Sequence, residues 1–158
     1  MCLVCGKGTN MNLPILRDSI LPLSNELLVS LSTSLELCSI PKDAKRIALN
    51  FRDTQYNQTG KGSLPIEIHL ARETQDSPWH IAIMACFAYP ETVSTKMEVQ
   101  LYFNLKQGWF YQPDIEQCDL SRPEVIELFK SWDKAIVRLL RRKAFNQLTL
   151  TVLKKLLR

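Results

Sequence analysis

Between residues 64 and 105, apolar and polar positions alternate with a period of two in three successive runs. Leu64, Ile66, Ile68 and Leu70 alternate with Pro65, Glu67, His69 and Ala71. Trp79, Ile81, Ile83, Ala85, Phe87 and Tyr89 resume the pattern after a Gln75-Asp76-Ser77-Pro78 break, and Val99, Leu101, Phe103 and Leu105 repeat it. A two-residue period bounded by turn formers predicts half-buried antiparallel strands. Connections this short leave no room for crossover helices, so the strands form a meander. Lys45–Phe51 adds an earlier strand through Ile47, Leu49 and Phe51, linked to the next by a hairpin-type connection containing Gly60-Lys61-Gly62. Gln107-Gly108 turns the chain into a fifth strand, Trp109-Phe110-Tyr111-Gln112, stopped by Pro113.

The period changes on either side of these strands. Within residues 24–37, Leu27, Leu28, Leu31 and Leu35 make a helical stripe, with Ser24 or Asn25 as the cap and Glu26 in the first turn. Leu27, Val29, Leu31, Leu35 and Leu37 also fit a period of two, but the length favours a helix. Ser121-Arg122-Pro123-Glu124 reads as a capping box, and Leu120 and Val125 can close a hydrophobic staple around it. Val125, Phe129, Trp132, Ile136 and Leu139 then recur at spacings of four and three, which predicts an amphipathic helix from about 122 to about 142. Beyond it, Thr149 and Thr151 permit a short strand whereas Leu153–Arg158 looks helical; residues 122–158 are taken together as a basic helical segment, with strand or helix left open over 144–158. The expected fold is one α+β domain spanning 1–158. It is a twisted antiparallel sheet of five or more strands flanked by amino- and carboxy-terminal helices, with residues 1–21 irregular.

Composition narrows the class. The 158 residues suffice for a self-supporting core. No apolar run approaches the ~18–20 residues of a membrane span, and the apolar part of the amino terminus is too short for a signal peptide, so a cytoplasmic protein without a membrane partner is expected. Cysteines at 2, 5, 38, 86 and 118 are odd in number and do not suggest a disulfide framework. Cys2 and Cys5 form a C-x-x-C without the second pair that a structural zinc site uses, so neither metal nor cofactor is expected. The net charge of +4 is unevenly spread. Residues 1–121 carry ten Lys/Arg against thirteen Asp/Glu, and residues 122–158 carry ten against three. The basic character therefore belongs to the carboxy-terminal segment.

Two constellations offer chemistry. Lys130, Lys134, Arg138 and Arg142 follow one another at four-residue spacing, and Arg141 and Lys143 thicken the end of this ridge. Like charges so placed repel by roughly a few tenths of a kcal/mol per pair. The plainer reading is a solvated face whose cations the helix dipole favours, but the dipole acts only in the last turn and accounts for part of the ridge, so the alternative is an acidic protein or a nucleic acid as partner. The second constellation is Arg52, Asp53, Tyr56, Glu67 and His69, in which a carboxylate beside a histidine can act as a general base with its orienter. The plainer reading is that Arg52 and Asp53 pin a loop while Glu67 and His69 face solvent. Neither a nucleophile elbow nor a nucleotide fingerprint accompanies the cluster.

Phe51-Arg52-Asp53 with Tyr56, the Gly60–Gly62 loop, Leu64-Pro65-Ile66-Glu67-Ile68 and the late helix with Trp132 together resemble a bacterial family of hypothetical proteins of unknown function. Its members are often encoded on mobile genomic islands, and the resemblance covers residues 45–145. The family usually has a histidine before the proline, where this chain has Leu64, so no role for that histidine carries over. The family's fold is similar to that of the mitochondrial matrix glycoprotein, an acidic, complement-binding, multi-ligand protein, and this implies an interaction role. The leading expectation is a non-catalytic protein-interaction module acting through Lys130, Lys134, Arg138, Arg141 and Arg142. Nucleic-acid or other polyanion binding through the same helix comes second, and an enzyme using Asp53, Glu67 or His69 third. The apolar tail at Leu148, Leu150, Val152, Leu153, Leu156 and Leu157 packs on the domain's own core or makes a homo-oligomer surface.

Overall fold

Seven strands form one antiparallel sheet in the computed structural model, which describes residues 14–17, 19–90 and 96–157. They are β1 (Ala44–Arg52), β2 (Ile66–Ala71), β3 (His80–Ala88), β4 (Glu98–Asn104), β5 (Trp109–Gln112), β6 (Glu116–Asp119) and β7 (Gln147–Lys155). Their order across the sheet is β6-β5-β4-β3-β2-β1-β7. The described helices are α1 (Asn25–Glu36), α2 (Thr54–Thr59) and α3 (Pro123–Arg141). The α+β meander is thus as expected, with two strands and the short α2 added. Cys2 and Cys5 lie outside the described residues. Of the segment expected to be irregular, Ile15 bridges Trp79 and both are buried.

The strand alternation holds best in β2, where Ile66, Ile68 and Leu70 are buried against the helices and Glu67, His69 and Ala71 turn away. In β3 it is interrupted. His69 pairs with Ile83 but the next residue, Leu70, pairs with Ile81, which leaves Ala82 as an extra residue. A bulge of one residue shifts every later side chain to the other face. Ile81, Met84 and Cys86 therefore join the core, whereas Ile83 and Ala85 stand on the opposite face beside His69 and Glu67. The period-two set Ile81, Ile83, Ala85 does not share one side of the sheet. The β1–β2 connection likewise contains more than a hairpin turn, since Asp53 starts α2 within it.

Two sequence expectations fail at the carboxy-terminal end. Ser121 does not cap α3. The helix begins at Pro123, its cap residue is Arg122 without a side-chain bond, and the Ser121 hydroxyl donates instead to Asp119. Asp119 takes that bond and the Ser121 N–H at 2.7 Å, which together hold its carboxyl below the usual range. Pro at the first helical position supplies the right φ and no stray N–H, so the helix starts without a capping box. Ser121→Ala should therefore cost no more than about 0.5 kcal/mol, whereas Ser24→Ala at the true side-chain cap of α1 should cost about 1–2 kcal/mol. Urea denaturation of the two variants measures both; equal losses would restore Ser121 as a cap.

The second correction concerns the end of the chain. Residues 147–155 are a strand rather than a helical extension of α3. At the end of α3, Lys143 adopts φ 56° and donates to Leu140, while Ala144 donates to Leu139 at 3.0 Å. This pair of bonds reverses the chain and satisfies the last carbonyls of the helix. The reversal lets Leu148, Leu150 and Val152 pair beside Phe51, Leu49 and Ile47 of β1. Burial beside an existing strand outweighs the weak helical pattern of Leu153–Leu157, of which Leu153 and Leu157 remain exposed.

Candidate functional site

Ser24 and Asp133 are the joint beside which a concave basic surface is built. The Ser24 hydroxyl accepts from the Leu27 N–H at 3.0 Å and donates to Asp133 Oδ1 at 2.6 Å, and the Ser24 N–H donates to Asp133 Oδ2 at 2.9 Å. One serine thus caps α1 and binds its first turn to the middle of α3. Asp133 is buried, which is tolerable for a carboxylate because both oxygens are hydrogen-bonded.

Beside this joint lies a groove of about 590 Å³. Lys134, Arg138, Arg141 and Arg142 line its α3 side, Ser24 and Glu26 its α1 side, and Val137 contributes an apolar patch. All four cations are exposed, and no carboxylate among the described residues lies within ion-pair distance of any of them. Lys130 belongs elsewhere: it donates to Glu127 at 3.1 Å and does not line the groove. Five ridge residues therefore divide into four that surround one concavity and one already paired. A partner carboxylate entering here meets several positive charges at once.

The polar cluster separates into two parts. Glu67 and His69 stand on the β2 face that turns away from the helices, with His69 Nε2 donating to Glu67 Oε2 at 2.6 Å. That bond holds the Glu67 carboxyl below its ordinary range against the opposing effect of burial, and the charges of His69 and Arg52 add to it. His69 Nδ1 is buried without a partner. On the same face Tyr102 stacks on Trp109 with ring centres 5.1 Å apart, and burial pushes the Tyr102 hydroxyl up. No serine, threonine or cysteine among the described residues hydrogen-bonds to the Glu67–His69 pair.

Asp53 and Tyr56 serve the loop instead. Asp53 caps α2 by accepting from the Gln55 N–H at 3.0 Å, and its other oxygen accepts from the Ser63 N–H at 3.1 Å. Gly62, at φ 119°, must lack a side chain, because a Cβ there would sit 2.5 Å from Asp53 Oδ2. Tyr56 is buried, accepts from the Tyr89 N–H at 2.9 Å and stacks on the Tyr89 ring. Two polar residues that hold the fold carry only faint marks in the sequence. Asp133 is one; an acidic residue between Phe129 and Ile136 on an apolar stripe is the signal that reveals it. Arg72 is the other, buried over the Trp79 ring with its guanidinium donating to the carbonyls of Ala44, Gln75, Lys42 and Pro41.

A family model described as a protein of unknown function (DUF2787) matches residues 25–151. Two solved structures share the fold. A hypothetical protein from the VSP-II pathogenicity island of Vibrio cholerae superposes with a TM-score of 0.73 at 24% identity, over 84% of this chain and 94% of its own. A conserved hypothetical protein from pathogenicity island VPI-2 of Vibrio cholerae O1 biovar eltor superposes with a TM-score of 0.67 at 25% identity, over 84% of this chain and 97% of its own. The latter is described as sharing structural homology with the human P32 protein. No curated protein matches the chain.

Proposed function

The chain belongs to the DUF2787 family of proteins of unknown function, and we propose that it is a non-catalytic interaction module that takes an acidic partner protein in the groove between α1 and α3. The observation that carries this reading is the convergence of Lys134, Arg138, Arg141 and Arg142 on one concavity without carboxylate partners among the described residues. Four like charges held together repel, and a partner carboxylate relieves that repulsion while adding charge-assisted hydrogen bonds. Arginines suit this task, since each presents a planar fork of donors to a carboxylate. A nucleic acid would meet the same cations. Its phosphates, however, are best tracked by a stripe or an open channel, and here Glu26 and Val137 interrupt the basic lining. The Glu67–His69 pair lies on the other face of the sheet, away from this groove.

No described helix is long and apolar enough to cross a membrane. Cys38, Cys86 and Cys118 are free thiols, which agrees with a reducing cytoplasmic setting as the proposed location.

Reversing Lys134 and Arg138 to Glu should weaken binding of a fluorescent poly-glutamate peptide at least roughly tenfold, with the fold unchanged, because both residues are exposed. The wild-type affinity should also fall steeply as salt rises. Fluorescence anisotropy reads both effects, with Glu67→Gln/His69→Ala as the comparison and single-stranded DNA as the rival ligand. Normal binding by the reversed protein together with loss in the Glu67/His69 variant would move the site to the sheet. DNA bound far more tightly than the peptide would favour the polyanion reading.

A further inference from the structure

Arg141 lines more than the basic groove. The same side chain lines a second groove of about 570 Å³ whose other walls are mainly apolar, with Val29 of α1, Leu37 just after it, Phe51 of β1, and Phe145 and Leu148 after α3. Its origin lies in the helix lengths. α3 ends at Arg141 and the Lys143 reversal drops the chain into β7, while α1 runs on to Glu36 above the β1–β7 edge. Val29 and Leu37, which point away from the buried stripe of Leu27, Leu28, Leu31 and Leu35, are left 44% and 79% exposed. Lys143 lines the same groove. Arg141 is thus common to two neighbouring recesses, one cationic beside the start of α1 and one largely apolar beside its end, which together make a two-part trough.

Resting on the acidic-partner reading above, we infer that the segment seated in this trough is an amphipathic helix of another protein, with apolar side chains at helical spacing and carboxylates beside them. Charge complementarity selects an acidic segment, and the exposed Val29 and Leu37 require apolar anchors from the same segment. Helical form follows from the walls. The walls contributed by α1 and α3 offer side chains whose backbone groups are already paired within the helices, and backbone partners for an extended peptide occur only where Gln147 and Leu148 open the free edge of β7. An extended peptide lying along the helices would leave its own N–H and C=O groups unpaired against apolar carbon, whereas a helix satisfies them internally. A second copy of this chain fits poorly, because α3 is the basic element itself and α1 carries only Glu26 and Glu36 as acidic residues. Helix-in-groove docking needs apolar anchors three, four and seven residues apart, and the two-part trough accepts those anchors at one end and flanking carboxylates at the other.

The test compares two synthetic peptides of about 18 residues, both made of Leu and Glu. In one the leucines fall on a single helical face; in the other the same composition is scrambled. Anisotropy titrations with the full chain should show the amphipathic peptide binding roughly tenfold tighter than the scrambled one, and gaining helical circular dichroism on binding. Val29→Ser/Leu37→Ser should erase that advantage, and melting curves should match wild type because both side chains are exposed. Lys134→Glu/Arg138→Glu should weaken both peptides. Equal binding of the two peptides, unchanged in the Val29/Leu37 variant but lost in the charge-reversed one, would overturn the helix and leave the acidic-partner reading standing. Unchanged binding in the charge-reversed protein would overturn both. Phosphatidylserine vesicles that displace the amphipathic peptide and need Leu37 would make the trough a lipid site and likewise overturn the inference.

Discussion

Phe103→Ala is expected to remove about 4 kcal/mol of stability. Phe103 is fully buried in β4 and touches three rings at once. Its centre lies 4.8 Å from Phe110 on β5, 5.3 Å from Phe129 on α3 and 5.3 Å from Trp132 one turn further along that helix. The ring is edge-on to Phe129 and nearly parallel to Trp132, two arrangements that aromatic quadrupoles favour. Truncation therefore loses the transfer energy of a large side chain, opens a cavity bounded by two strands and a helix, and loosens the seat of α3. A domain of this size holds about 5–15 kcal/mol in total, so the variant should sit near the edge of folding. Phe103→Leu keeps most of the volume and should cost about 1–1.5 kcal/mol. Urea titration followed by tryptophan fluorescence gives both values. A loss below about 1 kcal/mol for the alanine variant would mean that α3 does not depend on this cluster.

Asp133→Ala comes next, at about 3 kcal/mol, the upper range for hydrogen bonds to a charged group. The substitution leaves the Ser24 N–H and hydroxyl without their acceptor and unties α1 from α3. Asp133→Asn preserves one acceptor and should cost about half as much. The asparagine variant also separates stability from function. Removing a negative charge from the wall of the basic groove should tighten binding of an acidic peptide while the protein melts earlier. Opposite movement of affinity and melting temperature is the expected signature. If both fall together, the groove depends on the α1–α3 joint more than on its charge.

Legibility followed the range of the interaction that decides each feature. The stripe of α1 and its Ser24 cap, the strands β1 to β5 and the face of α3 from Val125 to Leu139 are written in local spacing, because one side buried and one side wet imposes a period on any sequence. Ser121 misled because its hydroxyl had two acceptable uses, and Asp119, two residues back, captured it before the helix N–H groups could. The Ala82 bulge was invisible for a different reason. A run of apolar residues hydrophobic on both faces carries no mark of which neighbour is the extra one, and only pairing with β2 selects it.

What the sequence determined alone was the class of the fold, the identity of both long helices and the concentration of positive charge after residue 121. These depend on composition and on contacts between near neighbours. Tertiary structure decided that residues 147–155 would be an edge strand, since a marginal helical pattern loses to a ready β1 partner and an apolar slot for Leu148, Leu150 and Val152. It also separated Glu67 and His69 from Asp53 and Tyr56, because successive residues of a strand and its loop leave the sheet in different directions. Finally it turned a linear ridge of cations into a groove. Lys134, Arg138, Arg141 and Arg142 are near one another on any helix, but they surround a recess only because Ser24, more than a hundred residues earlier, fastens α1 alongside through Asp133. A long-range hydrogen bond of that kind leaves no period in the sequence, because its two partners are brought together only when the core has formed.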